Sequence, residues 1–155
     1  MKKKVMFICS AGGHLTEMLK IDILFKKYDY VLVTEKNDIS IKLKDKYNID
    51  YLMYGSRYYP FKYIFVFSYN FLKSIYLFLK YKPDLVYTTG AHTCVVMCYI
   101  AKLFKKKIIF VEVFDRINNP TLSGRMVHRI ADTFIVQHEE MLEKYEHSKY
   151  IGGVY

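Results

Sequence analysis

"FICSAGGHLTEML", residues 7–19, decides how the rest of the chain is read. An apolar run stops at Ser10, Gly12 and Gly13 follow, His14 comes next, and a helical pattern begins. Strand, glycine turn and helix together build many phosphate sites, because small residues let backbone approach the ligand and free N–H groups at a helix start favour an anion. The dinucleotide pattern needs a third glycine, but His14, Leu15 and Thr16 follow the pair here, and the Gly-Lys-Ser/Thr of a nucleoside-triphosphate loop is also missing. His14 falls in the first helical turn, where the positive end of the helix dipole opposes imidazolium and lowers its pKa. A neutral imidazole can serve as a general base. The same residue also suits a capping or packing role. Glu17 is good first-turn electrostatics and needs no further role on that ground.

Outward from this stretch, apolar β-branched runs alternate with helical patterns. The runs are Val5–Cys9, Tyr30–Thr34, Asp50–Tyr54, Asp84–Thr88, Lys107–Val111 and Thr133–Val136. Helices are expected near 14–27, 38–47, 61–81, 91–105, 121–131 and 139–146. Repeated β-α units with short, doubly buried strands predict an α/β fold: a single doubly wound, Rossmann-like parallel-sheet domain spanning 1–155. Ligands bind such sheets outside the carboxyl ends of the strands. The loops on that edge carry His14, Glu35, Asp38, Arg57, His92, Glu112, Asp115 and Arg116.

The chain has 155 residues, room for one domain with a real core. Residues 1–82 hold 15 Lys/Arg against 7 Asp/Glu, whereas residues 83–155 hold 9 against 8. A basic half beside a nearly neutral one suggests an anionic partner: a membrane surface, a pyrophosphate or nucleic acid. Cys9, Cys94 and Cys98 lack zinc-ligand spacing and read as free buried thiols in a reducing compartment. The start, "MKKKVMFIC", has too short an apolar run for a signal peptide, so a cytoplasmic protein is expected.

Residues 61–82, "FKYIFVFSYNFLKSIYLFLKYK", contain no acid. At helical spacing Ile64, Phe67, Phe71, Ile75 and Phe78 share a face that Phe65, Leu72 and Leu79 widen, while Lys62, Lys73 and Lys80 line the far side. Lys62 and Lys80 bracket only about 26 Å with Lys73 inside, which argues against a membrane span. Two readings stand: a helix packed on the sheet with a solvated lysine edge, or an amphipathic element lying in an anionic bilayer surface. The breadth of the apolar arc favours the second.

"CSAGGHLTEML" (9–19), together with "DLVYTTGAHTCVVMCYIAKLFKKKIIFVEVFDRINNPTLSGRMVHRIADTFIV" (84–136), resembles a specific family. It is similar to the membrane-associated subunit of the two-subunit UDP-N-acetylglucosamine transferase of lipid-linked N-glycan assembly. It resembles still more the bacterial capsule and exopolysaccharide counterparts of the PssD/CpsF type. The resemblance runs over residues 4 to 153 and rests on Gly12-Gly13-His14 with Glu17, Thr89-Gly90, and Glu112 ending a strand. It implies the N-terminal, acceptor half of a GT-B glycosyltransferase, similar to half of the lipid II-forming transferase, with no cofactor and no metal. No Asp-x-Asp occurs in the chain.

The implied partners are a second small GT-B subunit that binds the UDP-sugar, a polyprenyl-pyrophosphate-linked sugar acceptor and the inner face of the cell membrane. The implied reaction is an inverting sugar transfer in capsular or exopolysaccharide synthesis, with the chain inactive or weakly active alone. His14 is the base candidate, with Glu112 as rival or orienting partner; Glu112 equally suits a buried carboxylate paired with Arg116 or with a helix N-terminus. Ser10, Gly12, Gly13, Glu17, Thr89, Gly90 and His92 would line the substrate pocket, Gly12, Gly13, Thr89 and Gly90 through backbone N–H groups. Arg57 and Arg116 would meet the acceptor pyrophosphate. His128, His138 and His147 receive no role. The C-terminal "KYIGGVY" would start a last strand at the partner interface. Other function classes are a stand-alone nucleotide or oxidoreductase domain using Glu35 at the ribose, a non-catalytic scaffold that recruits a partner transferase to the membrane, and a nucleic-acid binder, which no motif supports.

Overall fold

The computed structural model describes residues 2–55 and 60–154. Seven strands alternate with five α-helices: β1 Lys4–Cys9, α1 Gly13–Lys20, β2 Asp29–Lys36, α2 Asp38–Ile41, β3 Ile49–Met53, α3 Pro60–Tyr81, β4 Leu85–Gly90, α4 His92–Leu103, β5 Lys107–Val111, α5 Leu122–Val127, β6 Thr133–Val136 and β7 Lys149–Tyr150. The strands form one sheet in the order β3-β2-β1-β4-β5-β6-β7, and all are parallel. Residues 5–9 of β1 are buried on both sides, as a strand covered on two faces requires. One face packs Met6, Ile8, Val33 and Phe110 against α3, α4 and α5. The other packs Phe7, Cys9 and Leu32 against α1 and the chain that follows it. The strand order reverses between β1 and β4, so their carboxyl ends open the crevice where doubly wound sheets bind ligands.

The expected helix over 14–27 stops earlier. α1 ends at Lys20 and a 3-10 helix, Asp22–Lys27, follows. Tyr47 Oη donates to Asp22 at 2.8 Å, and the tighter turn sets Phe25 on Phe7 with ring centroids 4.6 Å apart. The segment 38–47 likewise divides into α2, started by an Asn37–Ser40 capping box, and a 3-10 turn over Lys42–Asp45. Only Glu139–Met141 of the expected 139–146 helix forms, as one 3-10 turn, and Tyr145 beyond it is drawn into the core. Cys9, Cys94 and Cys98 are free and buried.

α3 is close to the expected 61–81, and only part of its wide apolar arc meets the sheet. Among its described residues Val66, Ser74, Leu77 and Phe78 are buried, whereas Ile64, Phe67 and Phe71 are exposed. Polar anchors to the edge strand set its rotation. Asn70 accepts from the Met53 N–H and donates to the Met53 carbonyl, both at 2.8 Å, continuing the sheet's hydrogen bonding in side-chain form. Lys80 and the Tyr81 hydroxyl both reach Asp50, at 3.0 and 3.1 Å. The Lys80 charge therefore has a protein partner, and Lys73 Nζ lies 5.0 Å from the Tyr76 ring centroid, within cation–π reach. The turned helix sends Ile64, Phe65, Leu72, Tyr76 and Leu79 outward, with Phe65 77% and Leu72 66% exposed. No helix among the described residues is long and apolar enough to cross a membrane.

Candidate active site at the switch point

Gly12, with φ +84°, caps α1 without offering a side-chain acceptor. A β-carbon at Gly12 or Gly13 would meet nothing within 4 Å, so both glycines border open space. The first-turn N–H groups of α1 are left available to an anion at the crevice. Glu35 at the end of β2 braces this turn. It is 2% exposed and accepts from Ala11 N–H at 3.1 Å and from Thr93 Oγ1 at 2.9 Å. The Thr93 hydroxyl also lies 2.6 Å from Ser10 Oγ, which accepts from Ala91 N–H at 3.4 Å. Glu35 therefore points inward and ties three strand ends together, which removes it as a ribose ligand and with it the main support for a dinucleotide domain. Its inward position also brings its carboxylate 3.6 Å from His92 Nε2. Burial raises the Glu35 pKa, opposed by the Ala11 and Thr93 hydrogen bonds.

His14 is held by the second strand end. Its Nδ1 lies 2.7 Å from the Thr89 carbonyl oxygen, and Thr89 Oγ1 donates back to the His14 carbonyl at 3.0 Å. A carbonyl only accepts, so Nδ1 carries the proton in the neutral ring and Nε2 keeps its lone pair. Burial lowers the His14 pKa, against the raising effect of the Thr89 bond. The direction matches the expectation from sequence; the leading cause is desolvation and not the helix dipole. Gly90, with φ +94°, lies beneath the ring: a β-carbon there would come within 3.1 Å of His14 Cε1. Gly90→Ala is therefore expected to strain the backbone by about 1–2 kcal/mol and to tilt the imidazole. Transfer by the assembled enzyme should fall at least tenfold, with the substrate-binding constants moving far less, in a steady-state assay.

Not every expected pocket group is available. The Gly90 N–H is spent on Thr88 Oγ1 at 3.0 Å, and Thr89 is fully buried as the support of His14. Of the four residues expected to offer backbone N–H groups, Gly12 and Gly13 border open space. Ser10 serves as a bridge between the two strand ends. Arg57 and the side chain of Lys62 lie outside the described residues.

Glu112, 1% exposed, ends β5 among donors. It accepts from Thr121 Oγ1 at 2.8 Å, from the N–H groups of Val113 and Thr121 at 3.2 and 3.3 Å, and from the Tyr145 hydroxyl. The Arg116 pairing is not formed; Arg116 Nε is 3.8 Å from Asp115 instead. Thr121 is the N-cap of α5, accepting from Gly124 N–H at 2.9 Å, so the carboxylate sits against that helix start. Gly124 carries no side chain because a β-carbon would collide with the Tyr145 hydroxyl and the Glu112 carboxylate.

Glu17 Oε1 accepts from Phe114 N–H at 3.2 Å while its Oε2 is buried without a partner, and burial raises its pKa. His138 Nε2 donates to the Phe114 carbonyl at 2.6 Å. The Phe114 peptide is gripped from both sides, which fixes the loop bearing Arg116. His138, which received no role from sequence, follows β6 and sits at that strand's carboxyl edge.

These strand ends enclose a cavity of about 540 Å³ lined by His14, His92, Arg116, Thr121 and Ser123 on its polar side and by Phe67, Val95, Val96, Leu122 and Met126 on its apolar side. Sequence reading missed Thr121 and Ser123, although Asn119-Pro120-Thr121 is a helix-start signal. Among the described residues no group of three or more His, Cys, Asp or Glu side chains could hold a metal ion.

A parallel sheet reversing at β1/β4, with a glycine turn and a half-buried histidine after β1 held by the end of β4, is a Rossmann-like domain similar to the N-terminal half of GT-B glycosyltransferases. Acinetobacter baumannii MurG matches 99% of this chain with a TM-score of 0.74 at 16% identity. The UDP-N-acetylglucosamine 2-epimerase of Rickettsia bellii matches 99% with a TM-score of 0.69 at 19% identity. At such identities the likeness is one of fold, and the chain spans only 46% and 45% of those two proteins. The chain belongs to the Alg14-like family, described as "Oligosaccharide biosynthesis protein Alg14 like", which it matches over residues 5–154. Its similarity to the UDP-N-acetylglucosamine transferase subunit ALG14 of Yarrowia lipolytica is 30% identity over 96% of this chain and 80% of that protein.

Proposed function

We propose that this chain is the acceptor-side subunit of a heteromeric, inverting UDP-sugar glycosyltransferase, and that it supplies the base. The observation carrying this reading is the His14–Thr89 pair, which presents an unprotonated Nε2 at a cavity on the switch point. In the reaction, Nε2 takes the proton of an acceptor hydroxyl as that oxygen bonds to the anomeric carbon. The bond from that carbon to the UDP phosphate breaks on the opposite face, and UDP leaves with the electron pair. Arg116 and the open N–H groups at Gly12–Gly13 stabilise phosphate charge near the reacting centre. Glu112 and Glu17 act through the loops they hold. The UDP-sugar is bound by a second polypeptide; in support, the Yarrowia lipolytica relative is named as a subunit of a UDP-N-acetylglucosamine transferase. The acceptor is a sugar on polyprenyl pyrophosphate, and the family's role in oligosaccharide synthesis supports a lipid-linked product. Assembly of a capsular or exopolysaccharide polymer rests on the motif resemblance.

The outward stripe of α3 holds the chain to the cytoplasmic face of the membrane, its exposed apolar residues entering the interface. The experiment is reconstitution on phosphatidylglycerol-containing vesicles with the donor-binding partner. Transfer from UDP-N-acetylglucosamine to a polyprenyl-pyrophosphate sugar is expected with both chains and not with either alone. Changing Phe65, Leu72 and Leu79 together to serine should release most of the chain from the vesicles. Full transfer by this chain alone would refute the two-subunit reading, and full vesicle binding by the triple variant would refute the α3 contact.

A further inference from the structure

A larger cavity lies beside the site just described. It measures about 790 Å³ and runs along α5 between α4 and the segment near Tyr145. Arg125, Arg129, His128 and Lys144 line it together with Asn118, Asn119 and Tyr99, and no acidic residue does. Neither arginine nor Lys144 has an ion-pair partner among the described residues. Like charges that converge without a counter-charge repel one another, and a bound anion removes that cost. Guanidinium groups, with their fixed fork of donors, bind the paired oxygens of a phosphate, as of a carboxylate, bidentately.

Two further features say what carries the phosphate. Pro120 and Met126 line both this cavity and the one that holds His14, so the two are neighbours across a shared wall. Exposed apolar side chains border the basic cavity: Tyr99 of α4 and Met126 of α5, which line it, are exposed, as is Leu122 of α5 on the wall of the neighbouring cavity. A phosphate among exposed apolar side chains is the arrangement of a lipid at a bilayer surface.

We propose that the Arg125–Arg129–Lys144 cavity binds a phosphate group carried on a lipid, and that α4 and α5 join α3 in facing the membrane. This rests on the acceptor-side reading for its context. Two sources share the chemistry: the pyrophosphate of the polyprenyl acceptor and the headgroup of an anionic phospholipid.

The test is sedimentation of the full chain with phosphatidylcholine vesicles doped either with polyprenyl pyrophosphate or, at matched charge, with phosphatidylglycerol. R125Q/R129Q is expected to weaken binding to at least one doped vesicle tenfold or more, with R125K/R129K keeping most of it. K26Q/K27Q removes the same charge from the opposite face of the sheet and should change binding less than threefold. A loss confined to polyprenyl pyrophosphate assigns the cavity to the acceptor, and a loss on both vesicles, or on phosphatidylglycerol alone, assigns it to a headgroup site. Equal losses in R125Q/R129Q and K26Q/K27Q, or none in the former, overturn the proposal. The readout involves no sugar transfer, so these outcomes stand apart from success or failure of the His14 chemistry.

Discussion

His14→Ala in the assembled two-subunit enzyme is expected to lower turnover by about 10²–10⁴-fold, the usual worth of a positioned general base. The fold should survive, because the ring is only partly buried and makes one side-chain hydrogen bond, to the Thr89 carbonyl. His14→Gln, which retains a donor for Thr89 but offers no base, should be nearly as slow. The pH profile separates base from bystander. Burial depresses the His14 pKa below its ordinary 6.5, so the working neutral form persists through neutral pH. Turnover should fall only as pH drops through that depressed value, and this acid limb should vanish in the slow variants. Stability carries the same sign. The unfolded chain takes up the proton first as pH falls below 6.5, so stability is whole above that pH and declines through the depressed value. Unaltered turnover in His14→Ala would leave the chain as a non-catalytic scaffold.

What could be read from the sequence follows from how local each feature is. The parallel sheet is legible because each strand is a short apolar run flanked by its own helix, and the loops at the carboxyl edge follow from strand order alone. The glycine turn and His14 are contiguous, so they too are visible. The partners that give them meaning are distant: Thr89 lies 75 residues from His14, and Thr93 lies 58 from Glu35. Helical periodicity exposes the breadth of the apolar arc on α3, yet its rotation is set by Asn70 on Met53 and by Asp50 on Lys80 and Tyr81, which no repeat within the helix encodes. The missing helix after residue 139 has a similar origin. Tyr145 is taken by a carboxylate 33 residues upstream, and local propensity yields to that long-range bond.

That carboxylate gives the second large effect. Glu112→Ala is expected to destabilise the domain by about 3–5 kcal/mol, the joint cost of several stranded buried donors, a substantial part of the roughly 5–15 kcal/mol available to a single domain. Removing the carboxylate strands the Tyr145 hydroxyl, Thr121 Oγ1 and two backbone N–H groups in a site that is 1% exposed, and each unsatisfied buried group costs about 1–3 kcal/mol. Burial, and then the bond to Glu112, hold the Tyr145 phenol well above its usual pKa, so the hydroxyl remains a donor at any working pH. Urea unfolding should show a lower midpoint with an unchanged slope. Glu112→Gln keeps the shape and one acceptor oxygen but turns an amide N–H₂ toward groups that donate, so an intermediate loss is expected. The rival role predicts a different pattern. Were Glu112 the proton acceptor, Glu112→Gln would stop transfer at full stability, whereas a brace for the start of α5 loses turnover only in step with the folded population and recovers it at lower temperature. Tyr145→Phe sharpens the distinction, because it removes the buried donor without touching the cavity wall at His14. A midpoint shift in that variant, with turnover intact under stabilising conditions, is the result expected of a carboxylate that holds the loop and leaves the chemistry to His14.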